Sequence, residues 1–133
     1  MSKVVFINGC FDILHLGHIR LFEFAKTVGD YLVVALDEDD RVRSLKGEGR
    51  PSNELSDRAE VLRSIRFVDE VKSFGSDQEL TSLVRDVGPD IMIVGSDWRG
   101  HKIIGSEHVK EVIYFDRIHG HSTTKILKDI IDR

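Results

Sequence analysis

Short apolar runs alternate with helical patterns along this chain, and that alternation constrains the fold more than any other feature of the sequence. The runs are rich in β-branched and aromatic residues, which is typical of strands buried on both faces. Five of them occur, at residues 4–7, 31–36, 68–74, 91–94 and 112–115. This order predicts an α/β protein with a Rossmann-like, doubly wound, parallel five-stranded sheet and helices on both faces.

Helices are predicted between the strands from apolar spacing. Residues 19, 22, 25 and 28 are apolar at three-residue steps, and Gly29 follows them as a stop signal. Residues 37–55 are polar and predict a long loop, with one turn of helix at 40–45. Ser56 is expected to cap the next helix, residues 77–87 form another, and the last opens at residues 122–124.

Composition limits the classes of protein that this chain can belong to. We expect one domain over its 133 residues. A net charge of -4 argues against a general nucleic-acid binder. Cys10 is the single cysteine, so no intrachain disulfide can form. The apolar run after the N-terminus is too short for a signal peptide or a membrane span, and these features together predict a cytoplasmic protein.

The loop after the first strand contains the most unusual residues. Ligands of doubly wound sheets bind beyond the carboxyl ends of the strands, which directs attention to this loop. Here His15 and His18 flank Gly17 where a helix begins. Free N–H groups of a first helical turn attract anions, and two imidazoles can donate to phosphate oxygens. A solvated helix face or a core histidine would explain the same spacing, and a zinc site is disfavoured because Cys10 is the only thiol.

Two segments near opposite ends of the chain carry a resemblance to a known family. Residues 9–18 read GCFDILHLGH and resemble the GxFDxxHxGH signature of the cytidylyltransferase-like nucleotidyltransferases. Residues 116–125 read DRIHGHSTTK and resemble the second signature of that family, RxxGxSTT. The resemblance implies transfer of a nucleotidyl group from an NTP to a phosphorylated small molecule, with release of pyrophosphate.

The resemblance also implies roles for individual residues. Four are expected to be catalytic through contacts with phosphates: His15, His18, Lys46 and Arg117. Nucleotide binding is expected from the two histidines and Arg117, and from Gly9, Cys10, Phe11, Gly17, Gly120, Ser122 and Thr123. Acceptor binding is expected from Lys46, Arg58, Arg66, Asp97 and Trp98.

Ordinary structural roles remain open for several of these residues. Lys46 could be solvated, Arg58 and Arg66 could lie on one salt-bridged helix face, and Trp98 could fill the core. Ser122 and Thr123 crown a predicted helix N-terminus, which suits both capping and phosphate binding. No metal ligand is expected from the protein, since Mg²⁺ is expected to arrive with the NTP. A homodimer is expected from the resemblance.

The substrate is a choice between two relatives. Residues 95–100 and 122–125 resemble cytidylyltransferases that make CDP-glycerol from CTP and glycerol 3-phosphate. Residues 45–62 and 104–107 resemble adenylyltransferases that make ADP-heptose from ATP and heptose 1-phosphate. The first reaction is the preferred interpretation and the second its alternative. A non-catalytic nucleotide-binding module is the third, while binding of nucleic acid or of a membrane is not expected.

Overall fold

The computed structural model describes residues 2–116, and these form one parallel sheet flanked by helices. The strands are β1 Val4–Gly9, β2 Tyr31–Asp37, β3 Glu70–Phe74, β4 Ile91–Gly95 and β5 Glu111–Phe115. The helices are α1 Leu16–Val28, α2 Asp39–Lys46, α3 Leu55–Arg63 and α4 Asp77–Val87. Short 3-10 turns follow at Ser96–Trp98 and Ser106–His108.

The sheet has the order β3-β2-β1-β4-β5, and every pairing in it is parallel. The chain therefore builds outward from β1 through β2 to β3, then crosses to the other side of β1 for β4 and β5. This confirms the predicted five-stranded Rossmann-like sheet. It also places the reversal of strand order between β1 and β4.

Side chains that alternate along the strands build a core on each face of the sheet. Val5 and Ile7 pack in one cluster with Phe22 of α1 and Leu62 of α3. Phe6, between them, points to the opposite face and packs in a second cluster with Leu80 and Val84 of α4. Because neighbouring residues of a strand face opposite sides, continuous apolar runs are what a sheet covered on both faces requires.

Helix α1 ends where the sheet leaves room for nothing larger than glycine. Gly29 donates its N–H to the carbonyl of Ala25 and has an extended backbone, with φ at −153°. A Cβ atom at this position would lie 2.3 Å from Cγ2 of Val5 and 3.1 Å from the carbonyl oxygen of Lys3. Gly29 is thus required by the close approach of the helix end to β1, and not by a left-handed turn.

Some predicted boundaries were wrong. Helix α3 begins at Leu55 after Glu54, so Ser56 is not its N-cap, and it ends at Arg63. Arg66 therefore does not share this helix with Arg58. The predicted turn at residues 40–45 is a full helix, α2, and β3 begins two residues later than expected. The helix predicted after residue 122 lies outside the described residues. Within residues 2–116, no helix is long and apolar enough to cross a membrane.

Candidate active site

The loop after β1 leaves the sheet where strand order reverses, and a strained residue redirects it. Phe11 is buried and has φ at 49°, a left-handed conformation that side-chain-bearing residues seldom adopt. Its ring packs edge-on to the His18 ring, with centroids 5.2 Å apart. A Cβ atom on Gly9 would lie 3.1 Å from the same ring. Gly9, Phe11 and His18 therefore pack as one unit at the end of β1.

The two histidines close the N-terminus of α1 as a reciprocal cap. Nδ1 of His15 accepts a hydrogen bond from the Gly17 N–H at 3.0 Å. Nδ1 of His18 accepts one from the His15 N–H at 3.3 Å. In ordinary capping boxes hydroxyl and carboxylate side chains fill these two places. The first turn of α1 contains no acidic residue, so the positive end of the helix dipole is not neutralised by a carboxylate of that turn.

This capping geometry defines the tautomer of both rings. A ring nitrogen that accepts a hydrogen bond has no proton, so each neutral imidazole has its proton on Nε2. The rings stack with centroids 3.9 Å apart. Two imidazolium charges at that distance would repel by about 4 kcal/mol at an effective dielectric constant of 20. The two rings are therefore not charged at the same time, and in the neutral form each can donate a hydrogen bond from Nε2–H.

Burial and neighbouring positive groups keep His18 neutral. Burial lowers the pKa of His18 most, the neighbouring His15 and the Lys46 ammonium lower it further, and the resulting pKa is about 3. The influence of Lys46, the last residue of α2, shows that its charge acts at the histidine pair. Of the four predicted catalytic residues, His15 and His18 are in direct contact, and the Lys46 charge is near enough to lower the pKa of His18.

Cys10 is placed for a structural role. Its side chain is buried, and burial raises the pKa of the thiol, with Lys46 and Arg58 acting in the opposite direction. The thiol is therefore protonated at neutral pH, which disfavours nucleophilic chemistry. The Cys10 carbonyl oxygen accepts a hydrogen bond from Nη1 of Arg58 at 2.9 Å.

Asp12 ties the β1 loop to the segment before α3, a contact that the sequence did not reveal. Its side chain is fully buried and accepts hydrogen bonds from the N–H groups of Ser52 at 2.7 Å and Asn53 at 2.8 Å. The Asn53 amide in turn donates to the Asp12 carbonyl oxygen at 2.7 Å. Nε of Arg50 lies 3.8 Å from the same carboxylate. Asp12 is thus used to hold two loops together.

The expectation that Arg58 binds the acceptor needs correction. Its side chain is among the largest fully buried ones, with 1% of the residue exposed. The guanidinium donates to the carbonyl oxygens of Cys10, Asp37 and Asn53 and to the carboxylate of Asp39. A buried guanidinium needs such partners, and it has them inside the protein. Arg58 therefore does not face an open acceptor pocket.

The other predicted acceptor residues lie apart from this network. Arg66 is exposed beyond the end of α3, and its guanidinium stacks over the Phe67 ring at 4.8 Å. Asp97 and Trp98 lie in the 3-10 turn directly after β4, on the other side of the strand reversal from the β1 loop. Trp98 is 53% exposed, so it does not fill the core. Arg117, Gly120, Ser122 and Thr123 lie outside the described residues.

The described residues do not supply a cluster of metal-binding side chains. In the part of the chain that the structure describes, no three His, Cys, Asp or Glu side chains are grouped closely enough to hold a metal ion. The Asp12 carboxylate, although nearest the histidine pair in sequence, already accepts two backbone hydrogen bonds. These residues do not form a cage for a resident cation.

Known proteins resemble this chain over nearly its whole described length, including the loop after β1. The sequence pattern of the cytidylyltransferase-like family matches residues 6–129. Bifunctional protein HldE of Campylobacter fetus is 49% identical over 129 residues, and that of Campylobacter concisus 48% over 131. These alignments cover 97% and 98% of this chain but 28% of each relative, so the chain spans less than a third of their length.

A solved structure has the same fold as this chain. The lipopolysaccharide core biosynthesis protein of Thermoplasma volcanium superposes with a TM-score of 0.71 at 29% identity, covering 86% of this chain and 98% of that one. The fold and the loop after β1 are those expected of a cytidylyltransferase-like domain. The chain belongs to the cytidylyltransferase-like family.

Proposed function

We propose that this nucleotidyltransferase transfers an adenylyl group from ATP to heptose 1-phosphate, forming ADP-heptose and pyrophosphate. The observation that carries the proposal is the histidine pair: two stacked imidazoles at a helix N-terminus whose Nδ1 atoms accept backbone hydrogen bonds, with His18 held neutral by burial and by the neighbouring His15 and Lys46. Such an arrangement suits an anion whose charge shifts during transfer, because its donors are already oriented.

The reaction needs positioning more than acid–base chemistry. A phosphate oxygen of the acceptor, already ionised at neutral pH, attacks the α-phosphorus of ATP. A new P–O bond forms to that oxygen, the bond between the α-phosphorus and the bridging oxygen breaks, and pyrophosphate leaves with the electron pair. The Nε2–H groups of His15 and His18 donate to phosphate oxygens, and Lys46 balances the negative charge. Arg117 is proposed to hold the triphosphate.

The metal is proposed to come with the nucleotide. Mg²⁺ bound to the triphosphate supplies charge neutralisation when it is present, and it commonly keeps its waters and uses few protein ligands. Lys46 and the helix N-terminus add positive potential on the protein side. Family resemblance supports a homodimer, which light scattering after size-exclusion chromatography would test.

Two observations favour ATP and a sugar phosphate over CTP and glycerol 3-phosphate. Residues 45–62, from Leu45 almost to the end of α3, resemble adenylyltransferases that make ADP-heptose. The similarity to HldE proteins extends over nearly the whole chain. Residues 95–100 and 122–125 favour the cytidylyltransferase interpretation. The comparisons support the adenylyltransferase alternative better.

A pyrophosphate-release assay tests the proposal. ATP and CTP are each combined with heptose 1-phosphate and with glycerol 3-phosphate in the presence of Mg²⁺, and the products are identified by mass spectrometry. We expect release with ATP and heptose 1-phosphate. Release only with CTP and glycerol 3-phosphate would show that the proposed substrates are wrong, while the proposed nucleotidyl transfer would stand. Nucleotide binding without release from any pair would instead indicate a non-catalytic binding module.

A further inference from the structure

We propose that Arg58 is a positioning residue that holds Lys46 in register with the His15–His18 pair. The kinetic test of this inference rests on the proposed function. A second, spectroscopic test does not require turnover. It arises from the buried network around the Arg58 guanidinium, which contacts the loop leading into the histidine pair and the helix that ends at Lys46.

One side of the network fixes the β1 loop. Nη1 of Arg58 donates to the carbonyl oxygen of Cys10 at 2.9 Å, and Nε donates to that of Asn53 at 3.0 Å. Asn53 is itself bound to Asp12 through its backbone N–H and its side-chain amide. Cys10 and Asp12 lie in the loop that continues into the histidine pair. Arg58 is thus linked to this loop directly through Cys10 and indirectly through Asp12.

The other side of the network fixes α2. Nη2 of Arg58 is 2.6 Å from Oδ1 of Asp39, the first residue of α2, and Nη1 also donates to the Asp37 carbonyl oxygen. The other carboxylate oxygen of Asp39 accepts from the Leu55 N–H, at the start of α3. Partial burial raises the pKa of Asp39, but the hydrogen bonds from Arg58 and Leu55 outweigh it and lower that pKa. Lys46 ends the same helix.

Arg58 bonds directly to both sides, which gives the residue a specific mechanical role. A helix is a rigid element, so fixing Asp39 at one end of α2 restrains Lys46 at the other. Lysine could replace the charge of Arg58, but an ammonium cannot reproduce the planar fork that reaches three carbonyl oxygens and a carboxylate. Arg58→Lys should therefore let α2 shift relative to the β1 loop while leaving a positive charge in place.

A kinetic double-mutant cycle tests this role. Arg58→Lys, Lys46→Met and the double variant are compared in pyrophosphate release, and unfolding is measured for each. If Arg58 acts through Lys46, Arg58→Lys should lower kcat about 100-fold in the normal background, because misplacement of a catalytic group by about 1 Å costs on that order. In the Lys46→Met background the same substitution should lower kcat less than about threefold. In both backgrounds, Arg58→Lys should change the KM for the nucleotide little.

Two further variants separate positioning from general structural support. Arg63→Lys is the matched control, since Arg63 is an exposed arginine at the end of the same helix. It should leave kcat and stability unchanged. Asp39→Asn keeps every carbonyl contact of Arg58 and weakens the Asp39 carboxylate links to Arg58 and to the Leu55 N–H, so it should show the same non-additivity with Lys46→Met if Arg58→Lys fails to fold. Equal losses of kcat in both Lys46 backgrounds would overturn the inference.

A spectroscopic cycle makes the inference independent of turnover. The ¹⁵N shifts of the His18 ring are measured without substrate in the same variants. Lys46→Met should shift the His18 resonances in the normal background, and shift them less when Arg58 is lysine or Asp39 is asparagine. An identical shift in every background would refute the role of Arg58, whatever the enzyme assays show. Absence of pyrophosphate release from the unmodified protein would refute only the proposed function.

Discussion

Acidification should destabilise the protein because folding holds His18 neutral. The pKa of this ring is about 3 in the folded protein against 6.5 for an unperturbed histidine. Above pH 6.5 the ring is neutral in both states, so it adds no pH dependence to the free energy of unfolding. Between pH 6.5 and about 3 the unfolded chain binds a proton that the folded chain does not, so that free energy falls as the pH falls.

The magnitude at pH 5 follows from the unfolded value. One pKa unit corresponds to about 1.4 kcal/mol, and pH 5 lies 1.5 units below 6.5, which gives a loss of about 2 kcal/mol. Any folded pKa of about 4 or less gives nearly the same loss at this pH. Solvent screening of the partly exposed ring reduces the expected loss to roughly 1–2 kcal/mol.

Urea unfolding measures this loss. The unmodified protein and the His18→Asn variant are each unfolded at pH 5.0 and 7.5 at constant ionic strength. Asparagine keeps a polar group near the Nδ1 position that accepts from the His15 N–H, but it does not titrate. The free energy of unfolding should fall by roughly 1–2 kcal/mol more in the unmodified protein than in the variant. Equal losses in the two proteins would refute the conclusion that folding holds His18 neutral.

Three further outcomes follow from the described contacts. In pyrophosphate-release assays His18→Asn should lower kcat about 10²- to 10³-fold, since it removes one oriented donor, while circular dichroism remains unchanged; an unchanged rate would contradict the role of the pair. Gly29→Ala should lower the free energy of unfolding by about 1–3 kcal/mol because its Cβ collides with Val5, whereas Gly95→Ala, at an open position, serves as the control. Ser76→Ala should cost about 1 kcal/mol in thermal unfolding by removing the cap of α4, which accepts from the Glu79 N–H; no change would show that this cap contributes nothing.

Local patterns predicted the elements well because burial on both faces leaves a direct signature in sequence. The runs beginning at Val4, Tyr31 and Ile91 each became strands, and the two signatures identified the family. Helix ends were less predictable: Glu54 and not Ser56 precedes α3, since apolar spacing says little about where a first turn begins.

Contacts between distant residues could not be predicted in the same way. Periodicity indicated which face of a helix is apolar, but the buried position of Arg58 depends on Cys10, Asp37, Asn53 and Asp39, which approach from three other segments. The sequence suggested that Arg58 and Arg66 point the same way, which requires one helix to continue through both residues, but α3 ends at Arg63, before Arg66. The tautomers of the histidines likewise depend on backbone N–H groups that no sequence motif reports.

The bonds from Asp12 to Ser52 and Asn53 join segments about forty residues apart, and this has a consequence for how the site arises. Closing a loop of this length costs conformational entropy, so we expect this contact to form later than the local turns of α1. Deuterium exchange at the Ser52 and Asn53 amides should therefore report the opening of the loop after β1. A fragment that contained only β1 and α1 would carry the whole first signature and still lack the backbone donors that hold Asp12. The motif is short in sequence, but its structure depends on residues far along the chain.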